Sequence, residues 1–147
     1  MICALVAACV KAPPAVAPNP PMPIQLRDAS APVASQSDVD LSRLQGRWHV
    51  IESAGDTGGS EMQVSGSRLT IGDNTFAFTA VGQGRFMLGD RPVWVHWLDF
   101  DNRTAAMGDP GGSRVWIMDR TGAPGERLKA ARDILEWYGY DLSRLRR

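Results

Sequence analysis

From Asp38 onward the chain alternates short runs of β-branched and aromatic residues with polar ones, and the runs recur every 8–12 residues. The pattern predicts strands at Arg47 to Ser53, Glu61 to Ser65, Arg68 to Ile71, Thr75 to Ala80, Arg85 to Leu88, Val93 to Phe100, Arg103 to Met107 and Arg114 to Arg120. Between them stand Gly58-Gly59, Gly72-Asp73-Asn74, Gly82-Gln83-Gly84, Gly89-Asp90 and Asp109-Pro110-Gly111-Gly112. Such residues supply the positive-φ positions of tight hairpins, so sequential strands should be antiparallel neighbours in an up-and-down meander. Closing the meander removes its exposed edges, and eight strands leave an interior just large enough for side chains or one small ligand. The predicted fold class is therefore all-β: a small up-and-down antiparallel β-barrel with one C-terminal α-helix on its outside.

The helix follows from a change of period. Pro124 to Trp137 contains no internal breaker and runs into Gly139, the asymmetry expected of a helix between its first residue and its cap. Leu128, Ala131, Leu135 and Tyr138 recur at spacings of three and four and form one apolar stripe. In Val93-Trp94-Val95-His96-Trp97-Leu98 both alternating faces are apolar, so this strand needs a cover on its outer side. The helix is expected to provide it, with Tyr140, Leu142 and Leu145 adding further packing.

Before Asp38 the pattern disappears. Residues 1–9 are apolar and end in small residues before a cysteine, the layout of a signal-peptide core and its cleavage site. Residues 10–37 are rich in Pro and Ala, a composition that favours polyproline II and predicts a disordered tether. The folded domain is expected over 38–147. The 16 basic and 16 acidic residues balance, so there is no bulk field to draw nucleic acid, which is excluded as a partner. Cys3 and Cys9 both fall in the first segment, leaving the domain without a disulfide or a thiolate metal ligand.

Two stretches resemble the lipocalin family, in particular its bacterial lipoprotein branch. Leu41-Ser42-Arg43-Leu44-Gln45-Gly46-Arg47-Trp48-His49-Val50-Ile51 is similar to the short helix and first strand that carry the family's Gly-x-Trp signature. Leu98 to Gly108 and Val115 to Thr121 resemble the last two strands, their hairpin and the arginine that closes the motif set; Asn102 departs from the tyrosine common at that place. Gly139 to Leu145 also resembles the branch. The resemblance implies that Trp48, two residues after Gly46, plugs the closed end of the barrel with Arg120 over its indole, as a cation–π pair. Val6-Ala7-Ala8-Cys9 resembles a lipobox, which implies a lipid on Cys9 and, since Val10 is not aspartate, an outer-membrane lipoprotein facing the periplasm.

Catalytic chemistry finds little support. His49 and His96 stand alone, no His-x-x-x-His or Glu-x-x-His spacing occurs, and the glycine-rich pieces join strand to strand rather than opening a helix. The expectation is no enzyme, no metal and no cofactor. Five Trp, four Phe and six Met point instead to an apolar cavity. If Trp48 and Arg120 face inward, alternation brings Met118, Trp116 and Arg114 to the inner face. For the neighbouring strand Trp94, His96 and Leu98 are taken as inner, with Val95 and Trp97 under the helix. Phe76 and Phe78, or Phe86 and Leu88, would form the opposite wall. Phe78, Phe86, Trp94, His96, Trp116 and Met118 are thus the predicted ligand contacts, for a small apolar molecule such as a fatty acid or lysophospholipid. Only about 40 residues separate the first strand from Val93, so the middle strands must be short and the cavity shallow or filled. The alternative is accordingly a cavity-free barrel acting as a protein-interaction or protease-inhibitor module.

Overall fold

The computed structural model describes residues 13–15, 25–55 and 59–147. The predicted signal segment and Cys9 lie outside these residues. Eight strands, β1 (Gly46–Gly55), β2 (Glu61–Ser65), β3 (Arg68–Ile71), β4 (Asn74–Gly82), β5 (Arg85–Leu88), β6 (Arg91–Leu98), β7 (Thr104–Gly108) and β8 (Arg114–Asp119), form a closed barrel in sequence order. Each pairs antiparallel with its neighbour, and β8 returns to β1. The predicted meander and its closure are what the chain adopts.

β1 is the hinge of the closure. Its first half pairs with β2, from Gly46 opposite Val64 to His49 opposite Glu61, and its second half with β8, up to Gly55 opposite Arg114. A bulge between Val50 and Glu52 turns the strand from one partner to the other. Ile51 and Glu52 consequently face outward. The buried Glu52 carboxylate accepts from Arg132 at 2.8 Å.

Two apolar clusters divide the protein. Leu44, Trp48, Met62, Val64, Leu69, Phe78, Phe86, Val93, Val95, Leu98, Met107, Trp116 and Met118 belong to the barrel interior. Leu26, Ala106, Val115, Ile117, Ala131, Leu135, Tyr140 and Leu145 form a second layer between the outer wall and what covers it. The cover is α2 (Arg127–Trp137), which packs across β6, β7 and β8. Its predicted stripe holds: Ala131 and Leu135 are fully buried, with Leu128 and Tyr138 packed beside them. The helix starts three residues later than Pro124, because Pro124 and Gly125 are spent on a turn before it. Gly139 ends it with φ +87° and lies against Asp28 and Ala31, where an added Cβ would come within 2.5 Å of the Ala31 Cβ. A short helix, α1 (Leu41–Leu44), precedes β1 and is capped by Asp40, whose carboxylate accepts from the backbone N–H of Ser42 and of Arg43.

The tether prediction ends early. From Gln25 the chain is packed on the barrel, with Leu26 and Val39 buried. Leu26 N–H donates to Gly112, Asp28 N–H to Gly139 and Gln36 N–H to Val95, while Asp141 N–H donates back to Leu26. The Arg27 guanidinium is buried among backbone carbonyls of Tyr138, Pro110 and Ala31. Composition read this stretch as a spacer, but two apolar anchors and several backbone hydrogen bonds to the barrel make it a strap.

Candidate functional site

The closed end is built from the Gly-x-Trp motif upward. Gly46 has φ +100°, and a Cβ there would sit 3.0 Å from Arg120 Nη1, so a side chain would be both strained and crowded. That turn sends Trp48 fully inside, where its indole N–H donates to the Leu44 carbonyl at 2.8 Å. Arg120 lies across the ring with its Cζ 3.6 Å from the centroid. Its N–H groups donate to the carbonyls of Asn102 at 3.0 Å, Arg43 at 3.1 Å, Arg47 at 3.4 Å and Gln45. Burial pulls its pKa below the ordinary guanidinium value, and the carbonyl ring with the indole face retains the charge. Asn102 sits in the hairpin between β6 and β7. It has φ +55°, a conformation asparagine tolerates and tyrosine does not, and its side-chain oxygen accepts from Arg43 Nε at 2.7 Å.

Asp99 closes the same end. Its Oδ1 accepts from the backbone N–H of Arg103 at 2.6 Å and of Thr104 at 3.0 Å, and its Oδ2 takes Arg127 Nε at 2.6 Å, fastening the start of α2 to the hairpin. The Asp99 carboxylate thus holds structure.

Within the barrel the structure brings together four of the six predicted ligand contacts. Phe78 and Phe86 stack with centroids 4.7 Å apart and planes 20° off parallel, and Trp116 and Met118 point into the same interior cluster. Trp94 and His96 do not join them. A bulge between Val95 and Trp97 leaves His96 as the extra residue, so Val93, Val95 and Leu98 face inward while Trp94, His96 and Trp97 face out. The prediction was right below the bulge, at Trp97 and Leu98, and inverted above it. Trp94 instead takes the Arg85 guanidinium over its ring at 4.3 Å. Phe76 is on the inward row of β4 by register but remains substantially exposed.

His96 is committed to the strap. Its Nδ1 lies 2.7 Å from the Ala34 carbonyl and its Nε2 2.8 Å from the Tyr140 hydroxyl. A carbonyl can only accept, so the proton sits on Nδ1 and Nε2 accepts from Tyr140, which shares its hydrogen with the Asp109 carbonyl at 2.9 Å. Burial drives the imidazole pKa down to about 4 and lifts the phenol above its ordinary range. Among the described residues no group of three His, Cys, Asp or Glu could hold a metal ion.

One interior feature was not legible in the sequence. Trp116 is 1% exposed, and its indole Nε1–H has no acceptor among the described residues, whereas that of Trp48 is satisfied. Both tryptophans are equally apolar in a pattern. Only the fold separates the capped one from the open one.

No protein-family model and no curated protein matches the chain. Among solved structures it is similar to insecticyanin from the tobacco hornworm Manduca sexta, a lipocalin. That likeness covers 78% of this chain and 82% of the other at 18% identity, with a TM-score of 0.54. At that identity the likeness is one of fold. The closed eight-stranded barrel with a C-terminal helix against it is the lipocalin fold.

Proposed function

We propose that the barrel holds one small amphipathic molecule, of the fatty-acid or lysophospholipid class, and does so at a bacterial envelope. The observation that carries the reading is the buried indole N–H of Trp116, which has no protein acceptor among the described residues and lies in an interior of Phe78, Phe86, Met107 and Met118. A buried donor left unmatched costs about 1–3 kcal/mol. A ligand carboxylate or ester carbonyl would recover it, while the apolar tail displaces the soft methionine side chains. Arg114, two residues along the same inward row, supplies a cation on the mouth side. The lipobox-like Val6 to Cys9 supports a lipid anchor on Cys9 and an outer-membrane, periplasm-facing location.

The test is native mass spectrometry of the chain as purified, joined to calorimetric titration with palmitate. Wild type should carry or take up one lipid, and Trp116→Phe, which keeps the ring and loses the N–H, should bind about tenfold more weakly. Absence of carried lipid together with no binding heat overturns the reading. For the anchor, Cys9→Ser should move the protein from the membrane to the soluble fraction; unchanged fractionation removes the claim.

A specific observation favours the second reading, a cavity-free interaction or inhibitor barrel. Trp48, Met62, Leu69, Phe78, Phe86, Met107, Trp116 and Met118 already occupy the interior fully buried, and a stacked Phe pair is a packed arrangement. A negative titration selects this reading.

A further inference from the structure

We infer that the open end of the barrel carries a separate site for a phosphate group, presented by a small phosphate monoester or by a lipid headgroup. The site is a depression of about 520 Å³ at the rim, within the range of small-molecule clefts. Its walls come from five parts of the chain, Ser113 before β8 among them. Leu26 of the strap and Ala54 near the end of β1 form an apolar floor, Arg91 stands at the start of β6, and Arg144 and Arg146 come from the segment after α2.

Charge selects the ligand. Among the described residues, three arginines line the depression and no carboxylate does. Several arginines elsewhere are neutralised: Arg43 by Asp38, Arg103 by Asp119, Arg127 by Asp99 and Asp101, and Arg132 by Glu52. Arg91 and Arg144 have no hydrogen bond or ion pair among the described residues, although Arg144 helps lower the pKa of the exposed Asp141, whose main partner is Ser143. Arg146 donates through Nη1 to the carbonyls of Ser143 and Leu145, which leaves its Nε and Nη2 edge for a ligand. That edge is the fork that matches two phosphate oxygens. A monocarboxylate needs one such partner. Three converging cations match a dianion.

The arginines are also held in place. Arg146 and Ser53 exchange both backbone hydrogen bonds, at 2.8 and 2.9 Å, on the side of β1 that β2 leaves free above His49. The tail segment is thereby docked before any ligand arrives, which reduces the ordering cost of binding. The inference does not depend on a ligand in the barrel interior.

The experiment uses the full chain at low salt. Inorganic phosphate and glycerol 3-phosphate are titrated calorimetrically, and flotation is measured with phosphatidylcholine vesicles with and without phosphatidic acid. Single-site binding is expected to weaken at least about tenfold in Arg91→Gln/Arg144→Gln. The control Arg47→Gln/Arg68→Gln, at exposed positions away from the depression, should bind as wild type does. Binding of the soluble ester assigns a free phosphate compound, whereas flotation alone, lost in the rim variant, assigns a lipid headgroup. No binding of any probe, or equal weakening in the rim variant and the arginine control, overturns the inference.

Discussion

The two ends of the barrel use arginine in opposite ways. At the closed end Arg120 is surrounded by four backbone carbonyls and an indole face, so the cation is consumed by structure. At the open end Arg91, Arg144 and Arg146 line a depression that has no carboxylate among its described residues. A guanidinium has five fixed donors, and whether the fold supplies acceptors decides whether the residue is part of the protein's stability or available to a ligand. Substitutions at the closed end should therefore cost folding free energy, and those at the open end should cost binding alone.

The largest effect is expected at the plug. Trp48→Ala removes a fully buried ring, its hydrogen bond to Leu44 and the face that carries Arg120. Urea unfolding should show a loss of about 3–5 kcal/mol, the range for large aromatic residues truncated in a core. A loss below about 1 kcal/mol would mean that the closed end is not where the barrel is pinned. Since Arg120 would then keep its carbonyls but lose the indole, a comparison with Arg120→Met separates the two contributions.

Strand positions were legible because turn glycines and alternation agree along this chain, and the eight predicted runs differ from β1 to β8 by at most a few residues at their ends. The closed end was legible too, through Gly46, Trp48 and Arg120. The face of β6 was not. Val95, His96 and Trp97 give no periodic sign of a bulge, yet one extra residue inverts every side chain upstream of it. The strap was missed because proline content says nothing about whether Leu26 and Val39 find a core. The open-end arginines carry no pattern at all, since Arg91 and Arg144 are more than fifty residues apart and meet only through the closure of β1.

A pH titration sharpens the comparison, because the buried imidazole of His96 lies in the wall under the strap. His96 binds the strap as a neutral ring, and its pKa is about 4 in the folded protein against 6.5 for an unburied imidazole. Between these values the unfolded chain holds a proton that the native state lacks, so stability falls as pH is lowered through the window and is unaffected by this group above it. The slope should reach about 1.4 kcal/mol per pH unit. Measured from pH 7 to pH 5, the loss should be smaller in His96→Phe, which cannot titrate, than in wild type. Hydrogen exchange should locate the loosening: the Gln36 and Leu98 amides, which bond to and from the strap, should exchange faster on acidification, corrected for intrinsic rates, while Arg103 and Arg120 amides at the closed end stay protected. Equal loosening at both ends would dissolve the distinction.

The smallest expected effect is the one that tests the open end most directly. Arg91 and Arg144 make no hydrogen bond or ion pair among the described residues, so Arg91→Gln/Arg144→Gln removes two charges without exposing a buried partner. Its unfolding midpoint should lie within about 0.5 kcal/mol of wild type, as for surface substitutions away from networks. A slight gain is physically reasonable, because relieving repulsion among three clustered cations favours the folded state. Added phosphate provides the contrast. It should raise the midpoint of wild type by mass action and leave that of the variant in place, since only a ligand bound to the native rim shifts the equilibrium. A variant destabilised by 2 kcal/mol or more without phosphate would instead make these arginines structural, and the two ends of the barrel would then differ in partner but not in kind.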